Sequence, residues 1–167
     1  MRRTLSFVAA VLVALALMTA AFAIGKGDRA PEFKLKAING KTVSLSDLRK
    51  GTTKLVVIDF WATNCPPCVA EIPHLQKLYQ KYNKRGLVMV GISGYRGDTI
   101  EDVKSFVKDN KMTYPIPYDP GRKVLMKYGV RGLPTLFMID KQGIIRNVEI
   151  GYTPPEILES EIKALLK

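Results

Sequence analysis

The chain has 167 residues, 47% of them hydrophobic, with 26 Lys+Arg against 15 Asp+Glu and a formal net charge of +11. This length allows one domain large enough to bury a proper core. The positive charges are scattered, as at Lys34, Lys36, Lys77, Lys84 and Lys104, without a block of consecutive ones, which describes solvated faces and argues against nucleic acid as a partner.

Arg2 and Arg3 precede an apolar stretch from Leu5 to Met18, and small residues at Ala21 and Ala23 make an Ala-x-Ala cleavage site. Residues 1–23 are therefore expected to be a secretory signal peptide. The rival reading is an uncleaved membrane anchor, because the apolar run from Leu5 to Ile24 is 20 residues, about what a spanning helix requires. In both readings the arginines stay on the cytoplasmic side and the rest is exported. Residues 24–167 then form a single domain of net charge +9, since Arg2 and Arg3 are the only charged residues of the leader. Such a basic surface attracts acidic partners or an anionic membrane face over long range.

In the exported part, 33–37 and 41–45 flank Ile38-Asn39-Gly40 and predict a β-hairpin, since Asn-Gly is a strong turn signal. A short helical turn over Ser46-Asp47-Leu48 follows, and 54–61 is a near-continuous apolar run suited to a strand covered on both faces. Residues 66–84 carry Val69, Ile72, Leu75, Leu78 and Tyr82 at helical spacing and stop at Gly86. Then come a buried strand over 87–92, an amphipathic helix over 100–110, an extended piece over 114–118 and a helix over 121–128. A hairpin over 135–140 and 144–150 and a closing helix over 155–166 complete the chain. This alternation predicts an α/β fold with a mixed sheet between helices.

Cys65 and Cys68 are the only cysteines. At this spacing they close a small ring, which suits a redox-active dithiol better than a structural staple, because so short a loop removes little unfolded-chain entropy. A zinc site is short of ligands, since His74 is the only histidine and a structural zinc needs four. For the same reason His74 is expected on the surface or in helix packing, without a copper or catalytic role.

Asp59-Phe60-Trp61-Ala62 ahead of Cys65-Pro66-Pro67-Cys68, together with 127–135 (Lys-Tyr-Gly-Val-Arg-Gly-Leu-Pro-Thr), resembles the thioredoxin superfamily. The leading hairpin and the added helix and strand between about Gly94 and Tyr118 resemble its exported TlpA/ResA/CcmG-like branch, thiol-disulfide oxidoreductases many of which serve cytochrome c maturation. The resemblance covers essentially all of 24–167. It implies a thioredoxin-like three-layer α/β/α sandwich with a mixed central sheet, an N-terminal β-hairpin and a central αβ insertion. It also implies a reductase of client-protein disulfides, plausible clients being apocytochromes c, recharged by a membrane thiol donor of the DsbD/CcdA-like kind. No prosthetic cofactor is implied, a monomer is expected, and the location is periplasmic or otherwise extracytoplasmic, tethered if the leader stays.

In that scheme Cys65 sits at a helix N-terminus, whose free N–H groups and dipole favour the thiolate that attacks a client disulfide. Cys68, one turn deeper, resolves the mixed disulfide. Pro66 and Pro67 suit the first turn and remove two donors from around the Cys65 sulfur, which keeps the pair reducing. Asp59 is the candidate proton acceptor for Cys68, with a pKa raised by its apolar strand; its alternative is a strand-edge Asp bonded to backbone. Glu71, on the same helical face as Cys68, matches an acidic residue that several relatives carry near the site, or is a solvated helix Glu. By the resemblance Pro134 is a cis-proline against the dithiol, leaving Leu133 free to pair with an extended client segment. Trp61 is expected to shield the dithiol and add to the binding surface, or to be a core residue. One departure stands out: many members carry an aromatic residue before the first cysteine, and this chain has Asn64.

Other functions on the same scaffold are a disulfide oxidase or isomerase, a peroxide reductase, or copper delivery. The opening 27–33 (Gly-Asp-Arg-Ala-Pro-Glu-Phe) resembles peroxiredoxins, but their Pro-x-x-x-Thr-x-x-Cys site is absent, with Ile58 and Ala62 in place of its Pro and Thr. An isomerase usually needs a dimerisation domain for which the chain has no room.

Overall fold

The computed structural model describes residues 24–167; the expected leader, residues 1–23, lies outside the described residues. Strands β1 (Lys34–Lys36) and β2 (Thr42–Ser44) form the expected hairpin as a separate antiparallel pair. Gly40 turns it with φ 82°, a left-handed conformation that a Cβ would oppose. Ser44 then caps the short α1 (Leu45–Leu48), its Oγ accepting the Asp47 N–H at 3.2 Å.

Strand β3 (Leu55–Phe60) is buried at every position, as its apolar, β-branched run requires. It pairs in parallel with β4 (Leu87–Ile92) and antiparallel with β5 (Thr135–Asp140), and β5 pairs antiparallel with β6 (Ile145–Ile150). The sheet order is β4-β3-β5-β6, mixed as expected.

Between β3 and β4 lies α2 (Pro66–Tyr82), which buries Cys68, Glu71, Ile72, Leu75, Gln76, Leu78 and Tyr82. It runs into a 3₁₀ turn over Asn83–Arg85 and ends at Gly86 with φ 100°. A Cβ at Gly86 would lie 3.0 Å from the Thr52 carbonyl oxygen, so both the turn and the close approach require glycine. The next helix, α3 (Ile100–Asp109), opens with a reciprocal capping box between Thr99 and Asp102. Two further helices are α4 (Lys123–Lys127) and α5 (Pro155–Leu165).

Helices α2 and α5 share one face of the sheet, joined where Lys81 Nζ and Tyr82 Oη both donate to Glu159 Oε1, at 2.7 and 2.6 Å. On the other face Tyr128, just after α4, packs on Phe60 and Phe137 with ring centroids 5.3 and 5.0 Å away. Each such buried aromatic pair contributes about 0.5–1.5 kcal/mol beyond the burial of area. Tyr128 Oη also donates to the Pro31 carbonyl at 2.8 Å, tying the N-terminal segment to this layer.

The extended piece expected over 114–118 is not a full strand. It runs beside β4, accepting from Gly91 N–H at the Pro115 carbonyl and from Ser93 N–H at the Pro117 carbonyl, both at 3.0 Å. The two prolines have no N–H with which to complete a ladder, so only isolated bridges form, Ala37 with Pro117 and Ser93 with Tyr118. The insertion is thus a helix followed by a bridging segment.

Register places the site. Phe60 pairs with both Ile92 and Thr135, so the chain leaving β3 toward Cys65, the loop after β4 and the turn at Pro134 meet at one end of the sheet.

Candidate active site

Cys65 is the N-cap of α2, with extended backbone, and Pro66 and Pro67 occupy its first helical positions. Its sulfur is bonded to that of Cys68, with S–S 2.06 Å and Cα–Cα 5.3 Å. Both cysteines are buried, Cys65 at 4% exposure and Cys68 at 1%. Pro66, Pro67 and Asn64 are exposed around them, so the dithiol reaches solvent only through a narrow rim.

Two buried carboxyl groups flank the dithiol along the chain, Asp59 on β3 and Glu71 on α2 one turn after Cys68. Asp59 is 1% exposed and its Oδ1 has no hydrogen-bond partner, so the alternative of an Asp tied to backbone finds no bond at that oxygen. Burial, and secondarily the nearby Glu71 charge, hold its carboxyl well above the usual range. Glu71 is likewise 1% exposed, which sets aside the solvated-helix alternative. Its Oε1 accepts the Thr153 N–H at 2.8 Å, while Oε2 is unpartnered. Burial raises its pKa to about 7 against the opposing pull of the Thr153 bond.

Tyr114 completes this enclosure. Its hydroxyl is buried without a partner and its pKa is raised by burial and then by the charges of Asp59 and Glu71. Gly91, paired with Asp59 across β3 and β4, makes room: a Cβ there would lie 3.1 Å from Tyr114 Cε2 and 2.8 Å from Trp61 Nε1. The preceding Thr113 is pinned to α2, its N–H donating to Gln76 Oε1 and its Oγ1 accepting from Gln76 Nε2, both at 2.8 Å. Two acids buried side by side cannot both ionise cheaply, so the pair retains a proton through the neutral range. Such a pair can accept a proton from a buried thiol.

The Leu133–Pro134 peptide is cis, as the resemblance implied, and Pro134 is buried while Leu133 is half-buried. Among the described residues no backbone hydrogen bond engages Leu133, leaving its N–H and C=O free for an added strand. Trp61 differs from one expectation: it is 0% exposed, its ring 5.2 Å from that of Phe106, so it packs beneath the site and offers no binding surface. The cause is the continuation of β3, which drives the indole inward toward Gly91. Asn64 turns sideways: its Nδ2 donates to the Arg96 carbonyl at 2.9 Å and its Oδ1 accepts from Arg96 Nε at 3.2 Å. His74 is half-buried on α2. Among the described residues no group of three or more metal-ligating side chains occurs.

A family model described as the AhpC/TSA family matches residues 26–148. The chain is 37% identical over 139 residues to the thiol-disulfide oxidoreductase ResA of Bacillus thuringiensis, covering 83% of this chain and 78% of the relative. Its fold superposes with TM-score 0.77 on a Chlorobium tepidum protein assigned as thiol:disulfide interchange protein DsbE, at 34% identity and covering 85% of this chain and 98% of the other. StoA from Bacillus subtilis gives TM-score 0.67 at 26% identity, covering 78% and 96%. The chain belongs to the thioredoxin superfamily, in its ResA/CcmG-like branch. It is a thiol-disulfide oxidoreductase.

Within this ResA/CcmG-like frame, several site groups carry no sequence signal. Tyr114 read only as the start of an extended piece, and the Thr153 N–H that holds Glu71 comes from a loop 82 residues away. Arg96 and Arg122 read as scattered charge and Arg131 only as part of the 127–135 motif, yet the three line one groove beside Leu133.

Proposed function

We propose that this oxidoreductase works in the reducing direction on disulfides of exported client proteins, apocytochromes c being the plausible clients, with residues 1–23 as its export signal or membrane tether. The Cys65 thiolate attacks one client sulfur and displaces the other as a thiolate, which takes up a proton. Cys68 then yields its proton to the Asp59/Glu71 pair and attacks the Cys65 sulfur, releasing the second client thiolate. The client gains two electrons and ends as two thiols, and the protein ends as the Cys65–Cys68 disulfide. A thiol donor at the membrane, of the DsbD/CcdA-like kind, restores the dithiol.

What carries the chemistry of this reading is the pair of buried carboxyls, Asp59 on the strand before Cys65 and Glu71 one turn after Cys68, which can take the Cys68 proton in either direction of exchange. Pro66 and Pro67 add to it by withholding two N–H donors from the thiolate, which disfavours the reduced form and keeps it a ready electron donor. The test is the reduction potential of the couple, measured by equilibrium with a dithiothreitol or glutathione series. A value at or below roughly −270 mV is expected, and one near about −120 mV would replace the reductase by a disulfide donor.

A further inference from the structure

We propose that the groove beside the dithiol selects client segments carrying acidic side chains next to the disulfide, an inference that rests on the client-disulfide reading above. The groove encloses about 280 Å³. Leu125, Val130 and Leu133 give it an apolar floor, and Arg96, Arg122 and Arg131 give it its charge.

These three are set apart from the other arginines. Among the described residues, Arg49 pairs with Glu32 at 2.9 Å, Arg146 with Asp140 at 2.6 Å, Arg29 donates to the Gln142 carbonyl at 3.1 Å, and Arg85 lies over the Tyr82 ring. Arg96, Arg122 and Arg131 form no ion pair among the described residues, and all three are exposed. No carboxylate lines the groove. The nearest acid in the Arg96 loop, Asp98, is committed to the Thr63 N–H at 2.9 Å and the Thr63 hydroxyl at 2.5 Å. Arg96 and Arg122 also hold left-handed backbone, with φ 56° and 53°, a conformation that costs an L-residue roughly 1 kcal/mol or more. At Arg96 that geometry is maintained by a reciprocal pair with Asn64, the residue before Cys65: Asn64 Nδ2 donates to the Arg96 carbonyl and Arg96 Nε donates to Asn64 Oδ1. The unusual Asn64 therefore holds Arg96 at the groove.

The floor ends at Leu133, whose free backbone accepts an extended segment that brings a client disulfide to Cys65. A carboxylate on that segment meets guanidinium groups that hold no carboxylate partner, Arg96 sharing only its Nε with Asn64, so their forked donors face no internal anion. A lysine there meets three like charges. The groove thus sets encounter rate and partner choice and leaves the electron transfer itself unchanged.

The test uses three disulfide-bridged peptides that differ only at two positions flanking the bridge, carrying Glu, Gln or Lys. Exchange is followed in both directions, reduced protein with oxidised peptide and oxidised protein with reduced peptide, because groove recognition acts whichever way electrons move. The Glu peptide is expected to react about tenfold faster than the Gln peptide at low salt, with the advantage shrinking at 0.5 M NaCl. Arg122→Gln with Arg131→Gln, which leaves Arg96 alone in the groove, should cut the advantage to about twofold while the Gln-peptide rate and the reduction potential stay unchanged. Equal rates on the Glu and Gln peptides, or an advantage undiminished in the double variant, overturn the inference and leave the reductase reading standing. A Glu advantage seen only when the protein donates its disulfide keeps the inference and overturns the reductase reading.

Discussion

Asp59, Glu71 and Tyr114 sit in a buried enclosure with unpartnered polar atoms, whereas Asn64, Pro66 and the groove arginines are exposed to solvent. The two regions use ionisable groups for opposite ends. In the enclosure the low dielectric lifts the carboxyl pKa values toward the range where a thiol proton can be taken, and this requires that the groups stay buried. At the rim an arginine is useful only while solvated and uncommitted, because burying it unpaired would cost far more than a client carboxylate returns. Cys65 lies on the border, so one face of the dithiol handles protons and the other handles recognition.

The largest effect that tests this division is expected at Cys68. Cys68→Ser should let Cys65 attack a client and then stall, so that a mixed disulfide accumulates and multiple turnover is lost; its absence on a non-reducing gel would show that the first step does not run through Cys65. Next come the acids. Asp59→Asn should slow the resolving step about a hundredfold and Glu71→Gln about tenfold, read in single-turnover kinetics, with the pH midpoint of that step displaced. If both variants instead slow formation of the mixed disulfide, the enclosure serves Cys65 and the division fails.

The smallest expected effect is on stability. The Glu71 carboxyl titrates near 7 in the folded protein and near its ordinary 4.5 when unfolded. Between those values the folded state holds a proton that the unfolded chain has released, so the oxidised protein should lose stability as pH rises from about 4.5 to 7. Its contribution is fully present below that window and lost above it. Glu71→Gln should flatten the slope in urea titrations, and a wild-type slope of opposite sign would contradict the buried, proton-holding carboxyl.

Much of this was legible in the chain itself, because it depends on neighbours in sequence. The apolar run of β3, the Asn39-Gly40 turn, the prolines after Cys65 and the Gly86 stop each specify local backbone by sterics or hydrogen-bond capacity. Asp59 and Glu71 are candidates from an apolar strand and a helical spacing taken together with the family resemblance, which carries an acid at each place. The extended piece over 114–118 is present but stops short of a full strand for a local reason: Pro115 and Pro117 lack the donors of a ladder.

What only the tertiary structure decided is which distant groups meet. Strand register sets Gly91 beside Asp59, and that absent side chain admits Tyr114 and the Trp61 indole. A loop 82 residues from Glu71 supplies the N–H that orients it. Arg96, Arg122 and Arg131 come from three loops gathered by the end of one sheet. Composition and periodicity report which residues are buried or exposed along an element; proximity between elements follows from packing and register, and the shifted pKa values follow from the dielectric that this packing creates.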